Sequence, residues 1–190
     1  MEDLKKITIL YIDDDEDQSR LMQIKLASKG YHIDCAYSCE EARRKFFSTT
    51  YPAILIDYTL PDGDGIQLLK EFAKKNTHEA YIFLTGNSDE KIAIEALSNG
   101  ASNYLVKEMS GKYFELLPIM IQQAIEKKNL FIKNEQLIAL ISQEVGHALH
   151  DIVNLITDLF QNTHEKNQSA VLLRIIESSK HLLERIKEIK

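Results

Sequence analysis

Two acidic residues in succession, Asp13 and Asp14, follow the apolar run ITILYI, and a third, Asp57, follows AILI. If the two runs form neighbouring strands, the three carboxylates converge on one pocket. Converging carboxylates repel one another unless a cation sits among them. A hard divalent ion such as Mg2+ prefers a few such oxygens, with water completing its shell. A carboxylate can also act as a nucleophile and form an acyl phosphate, the metal offsetting the charge of the incoming phosphoryl oxygens. Two further residues suit that chemistry: Thr85 ends IFLTG with a hydroxyl beside the small Gly86, and Lys107 ends NYLVK with a cation. A lone Thr or Lys at a strand end is usually structural. All five residues together, at the ends of four strands, point to a phosphoryl site.

The elements that must position these groups are legible as an alternation. Apolar runs at Ile7 to Ile12, Ile33 to Tyr37, Ala53 to Ile56, Ala80 to Leu84 and Tyr104 to Val106 suit strands buried on both faces of a parallel sheet. Between them lie stretches of helical period, carrying Leu21, Ile24 and Leu26; Ala42, Phe46 and Phe47; Ile66, Leu69 and Phe72; and Ile92, Ala93, Ala96 and Leu97. Gly30 and Gly100 stand where two of these helices should stop, as left-handed caps do. The pattern predicts an α/β domain, a doubly wound five-stranded parallel sheet whose ligands bind at the carboxyl ends of the strands.

The segments ILYIDDDED, ILIDYTLPDGDG, YIFLTGNSD and GASNYLVKE resemble the receiver domain of two-component response regulators, over roughly residues 5 to 127. The resemblance implies a flavodoxin-like fold with Asp57 as phosphoacceptor. It implies Mg2+ bound by Asp14 and Asp57, supported through water by Asp13, and liganded by the backbone carbonyl of Thr59. Thr85 and Lys107 would bind the phosphoryl oxygens, and Tyr104 would be the aromatic switch that turns inward when Thr85 is drawn to the phosphate. All five essential side chains are present, which argues against an inert docking platform. One departure is clear. Receivers usually follow this lysine with proline in a cis peptide, whereas Glu108 follows here. A cis bond before a non-proline residue costs about 3 kcal/mol, so a trans bond and an altered loop are expected.

After Lys107 the character changes. Helical period persists to about Phe160, with apolar positions at Leu137, Ile138, Ile141, Val145, Ala148, Ile152, Leu155, Ile156 and Leu159. A polar break, Gln161 to Gln168, separates this from a second stripe at Leu172, Ile175, Ile176, Leu182, Leu183, Ile186 and Ile189. The pattern predicts a helical hairpin over residues 128–190, following a receiver over 1–127, and a kink at Pro118. Two helices bury little alone, so pairing with a second copy into a four-helix bundle is expected.

The segment LIALISQEVGHALHDIVNLITDLF resembles the first helix of the dimerisation and phosphotransfer domain of histidine kinases, and LLRIIESSKHLLERIKEI resembles the second. Three registers fit. One aligns Ser142 to Val145 with the phosphoacceptor box and places Gln143 where the histidine belongs, leaving a dimerisation scaffold. The second places His150 there, with Asp151 and Asn154 in support, and the third places His147. Gln143, His147, His150 and Asn154 recur at 4-3-4 spacing opposite the apolar stripe, so they should face outward. No Gly-rich phosphate loop occurs, so ATP-dependent kinase activity is not expected.

The net charge of −6 argues against a general nucleic-acid binder, which needs a basic face. No apolar stretch approaches a membrane span, and MEDLKK carries no secretory core, so a cytoplasmic protein is expected. Cys35 and Cys39 lack further zinc ligands nearby and read as reduced thiols, one of them partly buried. The expectation is a response regulator phosphorylated on Asp57 by a cognate histidine kinase or phosphotransferase, signalling through a homodimeric bundle. The alternatives are a phosphorelay through His150 or His147, or a fragment of a hybrid kinase.

Overall fold

The computed structural model describes residues 7–75, 78–86, 90–108, 110–162, 173, 175–181 and 184. Its contacts divide the chain into two compact units, Met1–Leu130 and Phe131–Lys190.

In the first unit the expected alternation is present: β1 (Ile7–Ile12), α1 (Glu16–Ala27), β2 (Tyr31–Ala36), α2 (Cys39–Ser48), β3 (Ala53–Asp57), α3 (Gly65–Ala73), β6 (Ala80–Thr85), α4 (Glu90–Ser98), β7 (Asn103–Val106) and the start of α5 (Tyr113–Asn162). A two-residue hairpin, β4 (Thr59–Leu60) with β5 (Gly63–Asp64), lies between β3 and α3. The five long strands form one parallel sheet in the order β2-β1-β3-β6-β7. The chain turns outward in both directions from the β1–β3 pair. This makes their carboxyl ends the switch point where an open α/β sheet binds ligands.

Strand alternation sends side chains to two cores. On one face Leu10, Ile12, Ile54, Ile56 and Phe83 pack under α2, α3 and α4 through Phe46, Leu69, Phe72 and Ala96. On the other, Ile9, Tyr11, Leu55, Ile82 and Leu84 pack under α1 and α5 through Met22, Leu26, Phe114, Leu117 and Ile121. The helices are capped as their sequences require. Asp15 accepts from the amides of Asp17 and Gln18 at the start of α1, Ser38 from Glu41 at α2, and Asp64 from Gln67 at α3. Gly30 and Gly100 hold positive φ, as their position past a helix end demands. Both cysteines are buried, which corrects the expectation that only one would be. Burial, first of all, then the neighbouring Asp62 push the Cys39 thiol up to about 11, so it stays protonated.

In the second unit α5 continues to Asn162, and residues 175–181 are helical. The helix runs continuously through Pro118. Most of the expected apolar stripe is bare: Leu137, Ile138, Ile141, Val145, Ile152 and Leu155 are 42–64% exposed, whereas Ile156 is partly covered. Ile132, Ser142, Gly146, Leu149, Val153 and Thr157 are also partly covered, and Ser179 in the second stretch is buried. The period is as expected, but the face covered within the unit is centred on other residues, sharing Ile156 with the expected stripe. Of the expected second stripe, Ile175 is exposed and Ile176 half-buried. Leu172, Leu182, Leu183, Ile186 and Ile189, with the break from 163 to 168, lie outside the described residues. No described helix is long and apolar enough to cross a membrane.

Candidate phosphoryl and metal site

Strand register assembles the site. Ile12 pairs with Ile56 across β1 and β3, so the residues that follow, Asp13 and Asp57, emerge side by side. Asp57 pairs with Leu84 and Thr85 with Val106, which brings Thr85 and Lys107 to the same edge. The amide of Lys107 donates to the Thr85 carbonyl at 2.7 Å and fixes the start of the loop that carries the lysine. The bond from Lys107 to Glu108 is trans, as the absence of proline requires.

The loop after Asp57 is folded back on it. The amide of Gly65 donates to the Tyr58 carbonyl at 2.8 Å. A Cβ at Gly65 would stand 2.0 Å from the Asp57 carbonyl oxygen, so only glycine fits there. The amide of Thr59 donates to Asp57 Oδ2 at 3.0 Å.

Carboxylate oxygens of Asp13, Asp14 and Asp57 lie within 4.8 Å of one another, with Asp13 and Asp57 buried and Asp14 exposed. Lys107 Nζ pairs with Asp13 Oδ2 at 2.6 Å and with Asp57 Oδ1. Its contact with Asp57 is a close ion pair between two largely buried side chains. The electrostatics follow. Burial pushes the Asp57 carboxyl above its ordinary range, Lys107 opposes that, and Asp13 adds to it. Burial also works against the charge on Lys107, but Asp57 and Asp13 together hold its ammonium above the usual lysine value. One cation thus serves two buried carboxylates, with Asp14 beside them. A small divalent cation with oxygen preference fits these donors.

Of the remaining expected residues, Thr85 is buried and Tyr104 is half-buried against the α2–α4 core. Gln143, His147 and His150 belong to the second unit, where all three are exposed on α5 with Asn154, as their spacing implied. Sequence reasoning separated Asp13 and Asp14 from their neighbours but gave no role to Asp15, which is the α1 cap and whose amide donates to Asp13 Oδ1 at 3.0 Å. It also passed over Tyr11. That side chain is fully buried, and its hydroxyl donates to Asp13 Oδ2. Strand alternation explains the contact, since residues two apart on a strand share a face.

The response regulator receiver domain family matches residues 9–115, more than half of the chain. The chain belongs to that family. The transcriptional regulatory protein ZraR of Salmonella typhimurium is 32% identical to it over 120 residues, which is 63% of this chain and 26% of that one. The chain therefore spans about a quarter of the length of the curated relatives it matches first. Among solved structures, a response regulator receiver domain from Clostridium thermocellum is 32% identical with a TM-score of 0.59, over 65% of this chain and 98% of that one. The response regulator TrrA of Thermotoga maritima, solved in complex with Mg(2+)-BeF, is 30% identical with a TM-score of 0.55, over 62% and 97%. Receivers of this family generally bind Mg2+ at an acidic pocket, and the three aspartates form such a pocket here.

Proposed function

We propose that this chain is a two-component response regulator in which a receiver over residues 1–127 is phosphorylated on Asp57 and signals through a helical hairpin over 128–190. The observation that carries the site is the convergence of Asp13, Asp14 and Asp57 on one pocket, with buried Asp13 and Asp57 sharing the ammonium of Lys107. An Asp57 oxygen forms the new bond to phosphorus as the donor's bond to phosphorus breaks, and that electron pair leaves with the donor. Asp14, Asp57 and the Thr59 carbonyl would ligate Mg2+, with Asp13 acting through water. The bound ion would supply positive charge to the phosphoryl oxygens. Lys107 leaves its carboxylate partners for those oxygens, Thr85 donates its hydroxyl to them, and Tyr104 follows Thr85 inward. A cognate histidine kinase or phosphotransferase is the donor, and the reading is of a cytoplasmic protein.

The output we infer is a homodimeric four-helix bundle. At 3.6 residues per turn, the covered face of α5 and its bare apolar stripe are separated by about 110° around the helix. Adjacent faces of that kind are what a helix needs when it packs on one neighbour in its own chain and one in a partner. Bare Leu137, Ile141, Val145, Ile152 and Leu155 form the second face. Gln143, His147, His150 and Asn154 occupy a third, pointing away from both.

The test is incubation with Mg2+ and acetyl phosphate, read by intact mass. The unaltered chain should gain one base-labile phosphoryl group that Asp57→Asn does not. Acid-labile label on the second unit would replace this reading with a relay through His150 or His147. Light scattering should give a dimer, and Ile141→Glu with Val145→Glu should give a monomer that still takes the label.

A further inference from the structure

We propose that Tyr11 is a positioning residue for the metal pocket: its hydroxyl clamps Asp13 so that the Oδ1 edge of that carboxylate is the one offered to a hydrated divalent cation. The inference rests on reading the three-aspartate pocket as a Mg2+ site. A carboxylate has about four lone-pair positions. On Asp13, Oδ2 takes the Tyr11 hydroxyl and Lys107 Nζ, and Oδ1 takes the amide of Asp15. Among the described residues, one position is left, on Oδ1. Without the phenol, Oδ2 would be held by Lys107 alone, the group required to move when phosphoryl oxygens arrive. Tyr11 stays where Lys107 leaves.

The ring cannot turn away. It is fully buried in the core that holds Tyr113, Phe114, Leu117 and Ile121 of α5. A phenol hydroxyl buried without an acceptor is costly, so the bond to Asp13 keeps both partners in place. Tyr113 is the natural control. It is buried in the same core, but its hydroxyl donates to Gln18 Oε1 at 3.1 Å.

Groups one step behind a metal site typically change affinity by about 10- to 100-fold when removed. Titration calorimetry with MgCl2 on the full chain should therefore show Tyr11→Phe binding about tenfold more weakly. Tyr113→Phe should match the unaltered chain. At saturating Mg2+ the acetyl phosphate labelling rate of Tyr11→Phe should return to within about twofold of normal, because the phenol touches no reacting atom. In an Asp13→Asn background, adding Tyr11→Phe should change nothing further, since the effect runs through Asp13. Mg2+ affinity unchanged or tightened in Tyr11→Phe would overturn the role, as would equal weakening in Tyr113→Phe or a loss that persists in Asp13→Asn. No Mg2+ binding by the unaltered chain would overturn the metal reading together with this one.

Discussion

Lys45 and Lys107 each hold an aspartate in an ion pair, and the two clusters are built from nearly the same groups. At Lys45 one carboxylate meets two donors: Asp34 accepts from Lys45 Nζ at 2.6 Å on one oxygen and from the Tyr51 hydroxyl at 2.6 Å on the other. Burial alone would raise the Asp34 carboxyl, but these hydrogen bonds outweigh it and hold it below its usual range. Burial and Asp34 together push the Tyr51 phenol up to about 12. At Lys107 two buried carboxylates share one ammonium, and a third acid lies beside them. There the Asp57 carboxyl is raised, not lowered. The difference lies in burial and neighbouring charge, not in residue type: the Asp34 side chain is 33% exposed, whereas that of Asp57 is 9% exposed with Asp13 beside it. A part-exposed carboxylate met by a cation and a hydroxyl is a fastening, whereas buried acids that share one ammonium favour a further cation.

The largest expected break in that contrast is Lys107→Met. It removes a group assigned to the phosphoryl oxygens, so labelling by acetyl phosphate should slow by about a hundredfold, as when one preorganised donor to a developing charge is lost. Mg2+ affinity should hold or rise, because a competing cation has gone. A fall in affinity would mean that the lysine helps to build the metal site.

Gly65→Ala comes next. The Asp57 cluster depends on a backbone contact that a Cβ would occupy, since the loop must retreat from a 2.0 Å collision. A loss of about 3 kcal/mol in denaturant unfolding is expected, the upper end for overpacking. The Lys45 cluster has no comparable backbone constraint.

Ligand response gives the third. At ten times its dissociation constant, Mg2+ should stabilise the unaltered chain by about 1.4 kcal/mol. Asp34→Asn should keep that gain and Asp57→Asn should lose most of it. An equal shift in all three would mean that the ion binds elsewhere.

Much of the receiver half was legible because its signals are local or strictly ordered. A parallel sheet buried on both faces writes continuous apolar runs, and the strand ends then locate the five polar residues without knowledge of any contact. Tyr11 was hidden within such a run, where it reads as one more apolar residue, and only the fold shows that its hydroxyl reaches Asp13. Asp62 was hidden for another reason. Its carboxylate accepts from the amides of Cys39 and Glu40, 23 and 22 residues earlier, and nothing local announces that pairing. In the second unit, period showed which residues are apolar and helical, but not which of two adjacent apolar faces is covered within the chain. Leu149 and Val153 lie on the covered face, whereas Ile152 and Leu155 do not. Hydropathy ranks all four alike, and the choice between faces belongs to packing.

The smallest expected effect tests the fastening itself. Because the Asp34 carboxyl is lowered in the folded chain, its contribution is present above the unfolded value of about 3.9 and is lost as pH falls through the lower folded value. Lys45 is held above the usual lysine value, since Asp34 and Glu41 outweigh the burial that opposes its charge. Its share is present at neutral pH and is lost only as pH rises through that raised value, beyond about 10.4. Asp34→Asn should therefore cost about 1 kcal/mol in urea unfolding at pH 7, a modest figure because a third of the Asp34 side chain meets solvent and screening applies. The gap should close as the pH is taken below the ordinary aspartate range, where the unaltered carboxyl also becomes neutral. A gap that persists at acid pH would place the contribution in the shape of the side chain, and the contrast with Lys107 would then rest on packing instead of charge.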